Sequence, residues 1–179
     1  MDRRLLKFKY GSGSSDKKVL IKFEVENSGD YDTFTFESND DAHPDLRSAL
    51  KNLAPHLLEN CEVEDNRLPV NVLGVTCTYK TMESGLIRGL VITGARDLED
   101  SNSPLVLNSP HKTDFHYSET DESGIGLLKP KCLELLDDLI REVFAYLDGK
   151  RAQAELDFGK KENEEAPREI ADRVLAFKG

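Results

Sequence analysis

Val19, Ile21, Phe23 and Val25 alternate with Lys18, Lys22, Glu24 and Glu26. A period of two gives a strand one buried face and one wet face, as in an antiparallel sheet with a single covered side. The pattern occurs on both sides of this segment. Leu6, Phe8 and Tyr10 alternate with Lys7 and Lys9, and Phe34 and Phe36 stand against Thr33, Thr35 and Glu37. The joints between these runs are G-S-G-S-S-D, a flexible turn, and N-S-G-D, a tight one. Three strands with short polar joints predict a meander.

The period then changes. Pro44 suits a first helical position and Asp45 favours the positive helix end. Leu46, Leu50, Leu53 and Leu57 follow at spacings of four, three and four. Pro55 lacks a backbone donor, so a kink or a restart is expected there. Leu68–Lys80 and Leu86–Thr93 read as two more strands, with M-E-S-G as a hairpin turn. The apolar set of the first changes parity around Gly74, which predicts a bulge or bend. The second is apolar on both parities, so a central strand covered on both faces is expected. Pro130 opens the longest helix, striped by Leu133, Leu136, Ile140, Phe144 and Leu147 and stopped by Gly149.

The order strand, strand, strand, helix, strand, strand, loop, helix lacks the alternation of a parallel sheet. It predicts an α+β fold: a mostly antiparallel five-stranded sheet with helices covering one face. One domain is expected over residues 1–149, with a long loop at 99–126. Residues 150–179 read as a polar tail with a short amphipathic helix carrying Ile170 and Val174. No internal repeat is visible.

Composition limits function. The 179 residues carry a formal net charge of -10, which disfavours general duplex-DNA binding unless charge is segregated. Lys7, Lys9, Lys17, Lys18 and Lys22 do cluster, but Asp16, Glu24, Glu26, Asp30 and Asp32 interleave with them in sequence, so the patch reads as mixed. Cys61, Cys77 and Cys132 are odd in number and far apart, which suits reduced thiols in a cytoplasmic protein rather than a disulfide scaffold or zinc knuckle. The N-terminal segment lacks the apolar core of a signal peptide, and no run approaches membrane-spanning length. No cofactor, no metal and no membrane contact are expected.

Two segments could carry function. Compact domains seldom hold an irregular stretch as long as 99–126 unless it binds something or is disordered. Within it Asn108, Ser109, His111, Lys112, Thr113 and His116 could line a site for a small anionic ligand. Asp97 to Gly126 holds seven acidic residues against one lysine, so only the S-P-H-K-T portion suits an anion. Asp114, His111 and His116 lie within reach of one metal ion but without a recognised zinc spacing. The simpler alternative is a surface crossing pinned by Leu105, Leu107 and Phe115. No nucleophile elbow, P-loop or dinucleotide fingerprint is present. Catalytic residues cannot be assembled, and a non-enzymatic role is expected.

The second segment is Q-A-E-L-D-F. It resembles the short motif by which proteins bind the bacterial sliding clamp, with Gln153, Leu156 and Phe158 as anchors. It departs from the motif by the residue between Leu156 and Phe158 and by alanine after the glutamine. The simpler alternative is a helix continuation folding back on the domain. More broadly, H-P-D-L-R-S-A-L-K-N-L-A-P-H-L-L-E-N-C-E, N-S-P-L-V-L-N-S-P-H-K and Y-L-D-G-K-R-A-Q resemble small uncharacterised proteins of tailed bacteriophages and prophages. That resemblance spans most of residues 5–158 and implies an early-region viral protein of the host cytoplasm, often encoded beside recombination and replication genes. It implies no activity; the first reading is a non-enzymatic accessory protein of DNA replication or recombination that acts through contacts with a host or phage protein, the sliding clamp among them. The other reading is a binder that sequesters a nucleotide signal of host immunity. A homodimer through a sheet edge is a further expectation.

Overall fold

Among the described residues, each apolar stripe becomes an element of a two-layer α+β fold. The computed structural model describes residues 2–11, 18–64, 69–83, 85–115 and 125–152. Strands β1 (Arg3–Tyr10), β2 (Val19–Asn27) and β3 (Asp30–Ser38) form the meander, and helices α1 (Pro44–Lys51) and α2 (Ala54–Asn60) follow. Strands β4 (Asn71–Met82) and β5 (Gly85–Arg96) form a long hairpin. Two short strands, β6 (Leu105–Asn108) and β7 (Lys112–Thr113), precede helix α3 (Pro130–Leu147). The sheet runs β3-β2-β1-β4-β5-β6, with β7 also on β5, and its strand pairings are antiparallel. The turn at 12–17, Leu68 and the tail helix with Ile170 and Val174 lie outside the described residues.

The core lies between the helices and one sheet face. Leu46, Leu50, Leu53 and Leu57 of the α1–α2 pair and Leu136, Leu139, Val143 and Tyr146 of α3 meet Phe8, Ile21, Val75, Leu90 and Ile92 of the strands, all buried. The expected restart in the first helix is found: α1 ends at Lys51 and α2 begins at Ala54, with Pro55 in its first turn where no backbone donor is needed. Phe23 stacks on Phe34 with ring centroids 5.6 Å apart and meets Phe144 edge-on at 6.2 Å, which ties the meander to α3. The buried Tyr146 hydroxyl donates to the Asp40 carbonyl at 2.9 Å.

Two bulges set which side chains face the core. The β4–β5 register slips between Val72 and Gly74, as the parity change implies. A second slip lies between Leu5 and Lys7, opposite β2. It lets Leu5 and Phe8, three apart, both be buried, so the regular Leu6–Phe8–Tyr10 face is corrected to Leu5, Phe8 and Tyr10.

The long connection is also more regular than a loop. Six of its residues, in β6 and β7, join β5, which raises the strand count above five. Between them the Ser109 N–H donates to the Ile92 carbonyl, while the Ile92 N–H donates to Ser109 Oγ, both at 2.9 Å. A side-chain oxygen thus continues the ladder just before Pro110, which has no N–H of its own. Packing also continues past Gly149. Arg151 bridges to Ala42, the Ala152 N–H donates to the Asp41 carbonyl, and the Arg151 guanidinium lies 3.6 Å from the Tyr146 ring centroid.

Candidate functional site

Strand register sorts charges that are mixed in the linear sequence. Residues sharing a face with Phe23 and Phe34 point to the helices, and Asp30 and Asp32 belong to that set. Lys7, Lys9 and Lys22 belong to the opposite face, against which no described helix packs. Lys7 stands opposite Lys22 on one side and Thr76 on the other. Lys9 stands opposite Gly74, Gly74 opposite Thr93, and Thr93 opposite Asn108. Two adjacent rows therefore cross the sheet, Lys22–Lys7–Thr76 and Lys9–Gly74–Thr93–Asn108. Glu24, Glu26 and Glu37 share this face; Glu24 pairs across the strands with Arg4, and Glu37 lies in the row of Lys9 with Leu20 between them. Among the described residues no ion pair or hydrogen bond engages the Lys7, Lys9 or Lys22 ammonium groups.

The rows border a depression of about 50 Å³, lined by Lys7, Phe8, Lys9, Leu73, Gly74, Val75, Thr76 and Thr93. Gly74 lines it, and a β-carbon there would lie 2.1 Å from the Phe8 carbonyl oxygen of the neighbouring strand. The Thr93 hydroxyl donates to Asn108 Oδ1 at 2.8 Å, which fixes the wall on the β5 side. Lysine ammoniums on two strands and the Thr76 hydroxyl can bind an anionic oxygen cluster, while the Thr93 hydroxyl proton is given to Asn108.

The residues expected to line a loop site are divided by this geometry. Asn108 sits at the end of one row. His111 lies on the same face, its ring over Gly89 and its Nε2 2.9 Å from Thr78 Oγ1. Lys112 is paired with Leu90, which faces the helices, and so is directed away from Asn108 and His111. Ser109 and Thr113 are buried, Ser109 in the ladder and Thr113 with its hydroxyl donating to the Phe115 carbonyl at 2.8 Å. Leu107 packs on the core, whereas Leu105 and Phe115 are exposed. His116 lies outside the described residues, as do Gln153, Leu156 and Phe158.

Other chemistry finds little support in the geometry. Asp114 is engaged by Arg88, whose guanidinium also reaches Asp137 on α3. Among the described residues no three His, Cys, Asp or Glu side chains converge to hold a metal ion. Burial pushes the Cys77 thiol up to about 12 and the Cys132 thiol up to about 11, so both are protonated and poor nucleophiles near neutral pH. Cys61 is raised as well, by partial burial. No helix among the described residues is long and apolar enough to cross a membrane.

Sequence reasoning read Lys7, Lys9 and Lys22 as part of a mixed cluster and passed over Thr76 and Thr93. A signal did exist for the lysines and Thr76, which stand between apolar residues in alternating runs. What joins them is the cross-strand register, which one strand's pattern cannot supply. No family model, no curated protein and no solved structure matches the chain.

Proposed function

We propose that this chain is a non-enzymatic binding protein whose uncovered sheet face receives an anionic group of a small ligand. The observation that carries this reading is the cluster of Lys7, Lys9 and Lys22, without ion-pair partners among the described residues, beside a depression walled by Thr76 and Thr93. Like charges directly opposite on neighbouring strands oppose folding. An anion between them converts that repulsion into attraction. The depression is far smaller than the roughly 300 Å³ at which pockets begin to enclose a drug-sized ligand. It suits one phosphate, sulfate or carboxylate group, with the rest of the ligand lying across the face.

Two features favour a small ligand over a nucleic acid strand. The net charge of -10 repels a long polyanion. Stacking rings are also scarce on this face: Tyr31, on the same side, is covered by the Arg4 guanidinium at 4.0 Å. In the phage setting implied by the sequence resemblance, a nucleotide signal sequestered from host immunity fits these limits. Native mass spectrometry and calorimetry of the full chain with a nucleotide and oligophosphate panel test the idea. Binding should weaken on the order of tenfold for Lys9→Glu and further for Lys7→Glu/Lys9→Glu. Equal affinity in the double variant, or no binding across the panel, contradicts it.

A further inference from the structure

The aromatic row on the helix side ends at a sheet edge. Phe144, Phe23 and Phe34 follow one another outward, and Phe34, on the outermost strand, is 47% exposed. The two edges of the sheet differ. On the far side β6 has four residues and β7 two, and Ser109 to His111 interrupt them. By contrast, β3 matches β2 through nine consecutive residues with no register slip. Its sequence, D-Y-D-T-F-T-F-E-S, contains no proline and no lysine. Natural edges are usually blunted by lysine, proline, a bulge, short length or inward-pointing charges; β3 has the last of these, in Asp30 and Asp32, and none of the others.

We propose that β3 pairs with the β3 of a second copy, antiparallel about a twofold axis through Phe34. Phe34 is the middle residue of Asp30–Ser38, so this register matches all nine residues, and a shift of two in either direction leaves seven. It sets Phe34 against Phe34, Thr33 against Thr35, Asp32 against Phe36, Tyr31 against Glu37 and Asp30 against Ser38. No two like charges fall opposite, and the aromatic row continues through the axis from Phe23 of one copy to Phe23 of the other. Residues of equal parity are matched, so the helices of both copies stay on the same side of one continuous sheet. A second copy is the occupant that the symmetry favours, because an isologous contact closes without exposing a new edge at the junction.

A nine-residue edge junction lies at the small end of specific interfaces, so the dimer should be in the micromolar range. Sedimentation velocity of the full chain from about 5 to about 500 µM, a window bracketing such affinities, should show a shift from 20.1 kDa towards twice that mass. Phe34→Lys should remain monomeric with an unchanged circular dichroism spectrum, since the ring is half exposed. In a Cys61→Ser background, Phe34→Cys should cross-link under mild oxidation, because the two side chains meet at the axis. Val106→Cys on the far edge should not. A monomer throughout the range overturns the proposal. So does a dimer that survives Phe34→Lys, or one that cross-links through Val106→Cys rather than Phe34→Cys.

Discussion

Gly74 and Gly89 each fill a place where a side chain would collide, but with different partners. At Gly74 the obstacle is backbone, the Phe8 carbonyl oxygen at 2.1 Å; at Gly89 it is the His111 ring at 2.2 Å and the Thr78 hydroxyl at 2.4 Å. Backbone in a paired strand cannot retreat, whereas an exposed imidazole can swing out. Gly74→Ala should therefore cost about 2–3 kcal/mol in urea unfolding, and Gly89→Ala about 1 kcal/mol with release of the Thr78 contact. Equal costs would contradict this steric account. The thiols give a second residue-scale prediction. Cys77 and Cys132 have folded-state values above the ordinary thiol value, so the neutral form is favoured by folding. Their contribution is complete below the unfolded-state value near 8.5 and is lost as pH rises towards the folded values of about 12 for Cys77 and about 11 for Cys132. At pH 8 a thiol reagent should modify Cys61 first, and Cys77 and Cys132 only on unfolding. Rapid labelling of all three in the folded protein would contradict it.

At the scale of elements, the β1–β2 pair carries a built-in conflict, Lys7 opposite Lys22. Two charges about 6 Å apart in water repel by roughly 0.7 kcal/mol. Lys22→Glu should relieve this and stabilise the ligand-free chain by a few tenths of a kcal/mol, while weakening anion binding. That trade of stability against function is expected at a binding site and not at an ordinary surface position. Paired thermal melts and phosphate titrations of Lys22→Glu would measure it, and a loss in both would contradict it. The seam where α3 and the residues after it dock makes a separate prediction. Arg3 beside Asp148, Lys150 beside Asp45 and Lys18 beside Asp41 hold those carboxyls below the usual range. A depressed folded value means that their stabilisation is present above the unfolded value near 3.9 and is lost as pH falls through the folded value. Hydrogen exchange should show residues 41–46 and 148–152 losing protection before the β4–β5 hairpin as pH drops below about 4. Simultaneous loss in both regions would contradict this order.

At the scale of the molecule, the α+β layer, the one-sided helices, the restart before Pro55 and the bulge near Gly74 were all legible, because each leaves a period or a break in one contiguous run. The slip at Leu6 was not. Leu5 and Leu6 are both apolar, so either parity fits the sequence, and the partner strand selects one. The connection from 99 to 126 read as irregular because β6 and β7 are short and Ser109 replaces a ladder acceptor with its side chain. The candidate site was legible as residue types and illegible as a place. Lys7 and Lys22 are 15 positions apart and become neighbours only through antiparallel register. The central claim is that register gathers lysines from a mixed sequence into a cluster on the uncovered sheet face that can receive an anion. Backbone amide shifts of the labelled full chain, followed during titration with pyrophosphate, test it most directly. Saturable shifts centred on Lys7, Lys9, Lys22, Thr76 and Thr93, and abolished by Lys7→Glu/Lys9→Glu, are the expected result. Shifts centred on the helices, or none at these five positions, would contradict the account.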